Sequence, residues 1–352
     1  MTSKERILRT CRREPIDRIP FIDAPWAGTL ARWHREGLPA GIDWRDYFGV
    51  DKCEGMGFDV SPRFERKILE ETDQYIISTS AWGATLKELK DADATPEFLD
   101  FKVTDPEKWL LAKVRMDTVR DRVDWDRLKK EYPRWVAEGC YLEGRPWFGF
   151  DVTHSWFVGT ETLLVAMLEE PEWVMDMFDV FLTNSLRLLD MMWDEGYRFD
   201  GICWPDDMGY KGTPFFSKEM YRSLVQPFHK RAVDWAHNHG ILAQMHSCGD
   251  IRPLLPDLIA TGLDILNPLE VKAGMDAIAI KKTYGDKLAL RGGINAAIWH
   301  DLDAVTAEIR RLVPALKEGG GYIFASDHSI PNDVSFETFS EIVRLVKEVG
   351  SY

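Results

Sequence analysis

The sequence predicts an α/β protein that folds as a (β/α)8 TIM barrel with an N-terminal cap extension. From about residue 134, short apolar segments alternate with longer amphipathic runs, an order typical of parallel strands joined by helical crossovers. Six such units follow an N-terminal region that has candidate strands of its own, which favours a closed barrel over an open sheet. No Gly-x-Gly-x-x-Gly motif follows a candidate strand, which argues against a dinucleotide-binding fold.

The predicted elements follow a regular order in the second part of the chain. Candidate strands cover residues 140–150, 201–204, 240–246, 264–268, 288–292 and 322–326. Amphipathic runs that predict helices lie near residues 160–196, 217–238, 250–261, 275–284, 301–318 and 335–350. We interpret residues 1–352 as a single domain, in which 1–133 form the cap and the first barrel elements and 134–352 form the remaining barrel.

The N-terminal part has a less regular pattern. Residues 15–21, rich in proline and apolar side chains, predict a short extended entry into the fold. Residues 22–50 mix tryptophans with glycines and predict a loop-rich cap that closes the barrel mouth. Tyr75–Thr79 and Ala84–Leu89 flank a Trp-Gly pair and predict a β-hairpin.

Composition limits the function classes. The formal net charge of −14 argues against a nucleic-acid or anionic-membrane surface, because both require clustered lysine and arginine. The five cysteines form no Cys-x-x-Cys pair and are too scattered for a disulfide framework. With no signal peptide and no apolar run long enough to span a bilayer, the expected location is cytoplasmic.

Polar side chains recur where the candidate strands end, which in a barrel is the active face. They are Asp206 and Asp207, then His246 and Cys248, then Asn267 and Glu270, then Arg291 and Asn295, and finally Ser326, Asp327 and His328. Each has an ordinary structural explanation, such as a helix cap, an Asx turn or a surface ion pair. Their placement after successive strands nevertheless predicts one shared site.

His246 and Cys248 are the residues in this series that favour a metal. A histidine and a cysteine two residues apart at a strand end let an imidazole nitrogen and a thiolate converge on one point. Zinc prefers this ligand pair, and a third protein ligand would leave a fourth position for substrate. A buried cysteine beside a hydrogen-bonded histidine is the alternative.

Several motifs, in this order, resemble the uroporphyrinogen decarboxylase superfamily over nearly the whole chain. Residues 15–21 (Pro-Ile-Asp-Arg-Ile-Pro-Phe) resemble its opening element, and residues 201–207 resemble its strand ending in an acidic pair. The His-Ser-Cys-Gly-Asp stretch at 246–250 resembles the His-x-Cys-Gly of its methyltransferase branch. Residues 290–295 lie where the family has a glycine-rich turn, and residues 325–331 resemble its closing loop.

The resemblance is closer to the corrinoid-linked methyltransferases than to the true decarboxylases. The decarboxylases carry a double-arginine stretch that holds the carboxylates of the tetrapyrrole. The corresponding region here keeps Pro25 and Trp26 but lacks that motif. The metal set of the methyltransferases is His-x-Cys plus a later cysteine, and His328 occupies the later position here.

The resemblance therefore implies a methyltransferase that moves a methyl group between a small substrate (methyl ether, thiol or similar) and the cobalt of a separate corrinoid protein. It implies one Zn²⁺ held by His246, Cys248 and His328. The candidate catalytic residues are Asp206, Asp207 and His328, and the candidate substrate-binding residues are Trp26, Trp204, Asn267, Glu270, Arg291 and Asn295. A uroporphyrinogen decarboxylase-like carboxy-lyase and a non-catalytic corrinoid- or tetrapyrrole-binding barrel stay open as alternatives, as does a homodimer.

Overall fold

The computed structural model of the protein describes residues 1–90 and 95–352. The strands β1 to β13 are, in chain order, Cys53–Gly57, Ile68–Glu71, Tyr75–Thr79, Ala84–Leu89, Glu97–Phe101, Tyr141–Arg145, Gly201–Pro205, Gly209–Tyr210, Thr213–Pro214, Leu242–His246, Ile265–Asn267, Ala289–Arg291 and Tyr322–Ile323. The helices α1 to α13 are Ser3–Arg12, Ala27–Glu36, Trp44–Phe48, Pro106–Lys113, Trp125–Ala137, Thr160–Glu169, Pro171–Asp194, Lys218–Met220, Gln226–Asn238, Leu255–Ala260, Ala277–Tyr284, Leu302–Lys317 and Phe336–Gly350.

A parallel sheet forms the centre of the fold. Its seven strands lie in the order β1-β6-β7-β10-β11-β12-β13. An extended segment at residues 19–22 closes the gap between the two edge strands. Phe324 N donates to Pro20 O at 2.8 Å on one side, and Asp51 N donates to Phe21 O at 2.9 Å on the other. The predicted barrel class is confirmed, and this segment takes the position of the eighth strand.

The lower end of the barrel is filled by apolar side chains. Tyr141, Ile265, Ala289 and Ile323 are almost fully buried and pack together inside the ring of strands. Helix α1 closes this end from below, because its apolar face places Ile7, which is 0% exposed, against the same cluster. Since this end is plugged, a ligand can enter only from the end where the strands terminate.

The N-terminal region is more regular than the sequence suggested. The predicted loop-rich character of residues 22–50 is wrong, because α2 and α3 lie within this range. Gly37 and Gly49 are the residues at which these helices end, so the glycines there mark helix ends. Trp33 of α2 stacks on Phe339 of α13 with ring centroids 4.4 Å apart.

The predicted hairpin is confirmed. Strands β3 and β4 pair in antiparallel fashion, and β2 and β5 extend them into a four-stranded sheet beside the barrel. All five cysteines are free, as their spacing suggested. Within the described part of the chain, no helix combines the length and the apolar character needed to cross a membrane.

Candidate active site and metal centre

Three potential metal ligands meet at the upper end of the barrel. Strand β10 ends at His246, and Cys248 follows two residues later, so the cysteine Sγ lies 3.3 Å from Nε2 of the histidine. Asp207, two residues beyond β7, places Oδ1 at 3.8 Å from the same nitrogen. The ligand atoms of these three residues all lie within 4.8 Å of one another.

The backbone around Cys248 is held by its neighbours. Asp207 Oδ1 accepts a hydrogen bond from Cys248 N at 2.7 Å, and Glu270 Oε2 accepts one from Gly249 N at 2.7 Å. Gly249 has φ +79°, and a Cβ there would lie 2.1 Å from the carbonyl carbon of Gly209. A glycine is therefore required for the loops after β7 and β10 to approach each other this closely.

The spacing of these donor atoms fits a zinc ion. Zinc bonds of about 2.0–2.3 Å in a tetrahedron separate the ligand atoms by about 3.3–3.6 Å. The observed 3.3 Å between Cys248 and His246 and 3.8 Å between His246 and Asp207 lie close to this range. An imidazole, a thiol and a carboxylate also form a donor set that zinc accepts.

The imidazole of His246 and the thiol of Cys248 both have shifted pKa values. Burial lowers the pKa of His246, the carboxylate of Asp207 opposes the shift, and the positive charge of Arg291 lowers the pKa further. Burial and the carboxylates of Asp207 and Glu270 raise the pKa of the Cys248 thiol well above its usual range. The imidazole is therefore neutral and ready to ligate, whereas the thiol must release a proton when a metal binds.

His328 lies outside this group. Its ring is exposed and stacks on Trp26 with centroids 5.9 Å apart. The expected trio of His246, Cys248 and His328 is thus not the trio that the fold brings together, since Asp207 takes the third place. The difference arises because Asp207 follows β7, which is the immediate neighbour of β10, whereas His328 follows a strand farther around the barrel.

Asp206 and Asp207 have different surroundings although they are adjacent. Asp206 is 0% exposed, and its carboxylate accepts from Asp151 N at 2.6 Å and lies 2.7 Å from Nε2 of His229. Asp206 therefore faces α9 outside the sheet, whereas Asp207 faces His246 and Cys248. The catalytic role of Asp206 stays a prediction, and the side chain itself is fully buried against His229. His229, in the middle of α9, gave no signal in the sequence.

Three predicted substrate-binding residues have structural partners. Trp204 is 0% exposed and packs between Phe148 and His229 outside the lumen, so it cannot contact a ligand there. Asn295 accepts a hydrogen bond from Ala297 N at 3.1 Å and caps a short turn. Asn267 Oδ1 accepts from a glutamine side chain of β10 at 3.4 Å inside the barrel.

A cavity of about 470 Å³ opens beside the three potential metal ligands. Its lining includes Asp207, Cys248 and Glu270 together with the rings of His154 and Phe215. Burial lowers the pKa of His154 to about 4, so the ring is neutral at pH 7. His154 lies on a π-helical turn, Val152–Phe157, and no spacing pattern in the sequence indicated it.

A second group of polar side chains lies on the barrel strands themselves. The register of β7 and β10 sets Gln244 beside Cys203, and the amide Nε2 lies 3.3 Å from the cysteine sulfur. Arg145 and Arg291 end β6 and β12. Arg291 was expected at the site, whereas nothing in the sequence indicated Arg145.

Comparison with known proteins places the chain in a family. The model of the family described as uroporphyrinogen decarboxylase (URO-D) matches residues 154–349, more than half of the sequence. A methyltransferase structure from Methanosarcina mazei has 16% sequence identity and a TM-score of 0.66, with 99% of each chain covered. A Listeria monocytogenes protein assigned as a vitamin-B12 independent methionine synthase has 13% identity and a TM-score of 0.40, covering 96% of this chain and 99% of its own.

The TM-score of 0.40 is too low to bear on the fold. The TM-score of 0.66 shows that this chain and the Methanosarcina mazei methyltransferase share a fold. No curated protein sequence matches the chain. The extent of the family match, together with the barrel and the polar strand ends described above, shows that this chain belongs to the uroporphyrinogen decarboxylase family.

Proposed function

We propose that this protein is a zinc-dependent methyltransferase that moves a methyl group between a small substrate and the cobalt of a separate corrinoid protein. The observation that carries the proposal is the meeting of Asp207, His246 and Cys248 at the barrel mouth. A metal-free decarboxylase has no need for a thiol and an imidazole at this distance from each other. The methyltransferase from Methanosarcina mazei, which has the same fold, adds support.

The residues of the site have separable roles in this proposal. Zinc, when bound, supplies a Lewis acid that keeps a substrate thiol deprotonated or stabilises a leaving phenolate. His246, Cys248 and Asp207 hold the metal, and Glu270 fixes the loop that carries the cysteine. His154 faces the cavity as a neutral ring that can donate or accept a hydrogen bond.

In this proposal a separate partner protein supplies the corrinoid. The cavity beside Cys248 opens at the mouth of the barrel, and the opposite end is plugged by α1. A corrinoid protein docked over the mouth would therefore present its cobalt to the same end from which the substrate enters. A cytoplasmic location agrees with five free cysteines, because thiols stay reduced there.

Metal analysis and a transfer assay test the proposal together. Protein purified without added zinc, then incubated with one equivalent, is expected to retain about one zinc ion per chain by elemental analysis. With methylcobalamin as methyl source and a panel of small thiols as acceptors, loss of the methylcobalamin absorption spectrum reports transfer.

The Cys248→Ala variant is the matched control and should fail in both measurements. A wild-type protein that binds no zinc under these conditions would overturn the proposal. Release of carbon dioxide from uroporphyrinogen by such zinc-free protein would establish the decarboxylase alternative instead.

A further inference from the structure

A second cavity lies between the four-stranded sheet and the segment that follows β6. Its volume is about 460 Å³, which falls within the range typical of small-molecule pockets. None of its lining residues belongs to a barrel strand, and none lines the cavity beside Cys248. The π-helical turn Val152–Phe157 contributes to both cavities, with His154 in the lining of one and Trp156 in the lining of the other.

One face of the sheet forms the floor of this second cavity. Ile68, Ser78 and Leu86 lie opposite one another on β2, β3 and β4, so their side chains share a face, and all three line the cavity. Ile68 is 65% exposed, whereas Leu86 is 6% exposed. The cavity therefore opens at the edge of the sheet formed by β2 and closes towards β4.

Three tryptophans line the same cavity. Trp82 meets Trp147 with ring centroids 5.4 Å apart, and Trp147 meets Trp156 at 5.7 Å. Neighbouring rings are nearly perpendicular, at 76° and 68°. A flat aromatic ligand can therefore stack on one indole while its edge meets the face of the next, which are the two favoured arrangements of aromatic pairs.

Two of these indole N–H groups have no acceptor. Trp147 Nε1 donates to Asp151 Oδ2 at 3.0 Å, but among the described residues none accepts from Nε1 of Trp82 or of Trp156. Both of these nitrogens remain accessible. Because an indole N–H is a donor only, a ligand that carries an oxygen acceptor suits this lining better than a pure hydrocarbon.

The charges in the lining argue against a cationic ligand. Clusters of aromatic rings also bind quaternary ammonium groups. Here Arg66 and Lys67 belong to the same lining, and within the described part of the chain no carboxylate pairs with Arg66. Glu88 is the one carboxylate in that lining, so the positive charges outnumber it.

We propose that this cavity is a second binding site, separate from the metal centre, for a flat aromatic compound that carries a hydroxyl group on its ring. The indole rings hold the ligand ring, and the open N–H donors of Trp82 and Trp156 favour the oxygen. The site goes beyond the proposed function and does not depend on it.

Calorimetry with a planar and a saturated alcohol tests the proposal. The probes are 2-naphthol and 2-decalol, which share the carbon skeleton and the hydroxyl group but differ in aromaticity. 2-Naphthol is expected to bind about tenfold or more tightly, because only the aromatic ring gains from contacts with the indoles. Equal binding of the two alcohols, or tighter binding of tetramethylammonium, would overturn the proposed ligand class.

Variants of the floor locate the binding site. Ser78→Phe adds a ring to the empty space without removing a packed side chain, and it should abolish 2-naphthol binding. Ile77→Phe is the matched control, because the next residue of the same strand points to the other face of the sheet, and it should bind as the wild type does. Unchanged binding in Ser78→Phe would show that the ligand binds elsewhere.

Variants of the wall test the aromatic contacts. Trp156→Leu should reduce the preference for 2-naphthol over 2-decalol, and Trp156→Phe, which keeps a ring but loses the N–H donor, should retain part of it. Trp235→Leu, at a partly buried tryptophan outside the lining, should keep the full preference. A preference that survives Trp156→Leu unchanged would contradict a site built on these rings.

The Cys248→Ala variant separates this site from the metal centre. The two cavities share no lining residue, so this variant should bind 2-naphthol as tightly as the wild type even though it is expected to lose zinc. Loss of 2-naphthol binding in Cys248→Ala would place the ligand at the metal centre and overturn the second site. Binding that persists in a protein without zinc or methyl transfer would leave this site standing and overturn the proposed function alone.

Discussion

The sulfur of Cys248 lies 3.3 Å from Nε2 of His246, with one residue between them. This contact arises because the strand ends at His246 and the chain turns at once, so that the cysteine returns over the imidazole. The turn is held by backbone N–H groups that donate to Asp207 and Glu270. The two ligands are thus fixed before a metal arrives, which lowers the entropic cost of binding.

Replacing Cys248 with alanine should remove the zinc and the activity together. The side chain supplies one of three ligands, so methyl transfer should fall by more than the roughly 10–100-fold that loss of an outer partner costs. Elemental analysis and the methylcobalamin assay measure the two effects. Cys140→Ala, a change at a buried cysteine outside the ligand group, is the control and should keep both. A Cys248→Ala protein that loses activity but keeps one zinc per chain would place the ligands elsewhere.

Variants of Asp207 and His328 should show which of the two residues is the third zinc ligand. Asp207→Ala should weaken zinc binding by roughly 10–100-fold or more, because it removes a ligand and the acceptor of Cys248 N. His328→Ala removes an exposed ring stacked on Trp26 and should leave the zinc affinity nearly unchanged. Competition with a chromogenic chelator measures both affinities. The reverse order would restore the ligand set that the family resemblance implies.

The barrel could be predicted because its signals are local. Alternating apolar and amphipathic runs follow directly from strand and helix periodicity, and the pairing of His246 with Cys248 depends on their separation alone. The helices within residues 22–50 were missed because Gly37 and Gly49 end them, and a glycine that ends a helix looks the same in a sequence as one in a loop.

The positions of the remaining site residues depend on tertiary packing, which the spacing of residues in the sequence does not indicate. Asp206 and Asp207 are equivalent in the sequence, and only their partners in the fold, His229 for Asp206 and the His246–Cys248 pair for Asp207, distinguish them. His229 meets Asp206 because α9 crosses behind the sheet, and His154 reaches the cavity because a π-helical turn directs it there. These contacts join separate elements, so tertiary structure is needed to find them.

Asp206 should matter more for stability than for catalysis. It pairs with His229 at 2.7 Å, and both side chains are at most 1% exposed. Asp206→Ala leaves the imidazole and Asp151 N without their acceptor, so the free energy of unfolding should fall by about 3–5 kcal/mol. Asp234→Ala breaks an exposed pair with Lys230 on the same helix and should cost less than about 1 kcal/mol. Urea denaturation measures both; equal losses would contradict the structural role.

Asp23 should make stability depend on pH in a predictable direction. Burial raises the pKa of this carboxyl from 3.8 to about 6, against the opposing hydrogen bonds from Ser326 and Ala24. The folded protein therefore holds a proton that the unfolded chain releases, so the stabilisation is complete below pH 3.8 and is lost as the pH rises through 6. Relative to Asp23→Asn, the free energy of unfolding of the wild type should decrease between pH 4 and 6 and become level above pH 7. Urea titrations across this range measure the difference, with Glu65→Gln, at a 75% exposed position, as control. A difference between wild type and Asp23→Asn that stays constant with pH would show that Asp23 titrates as an ordinary surface carboxylate, and one that rises with pH would show that folding lowers its pKa.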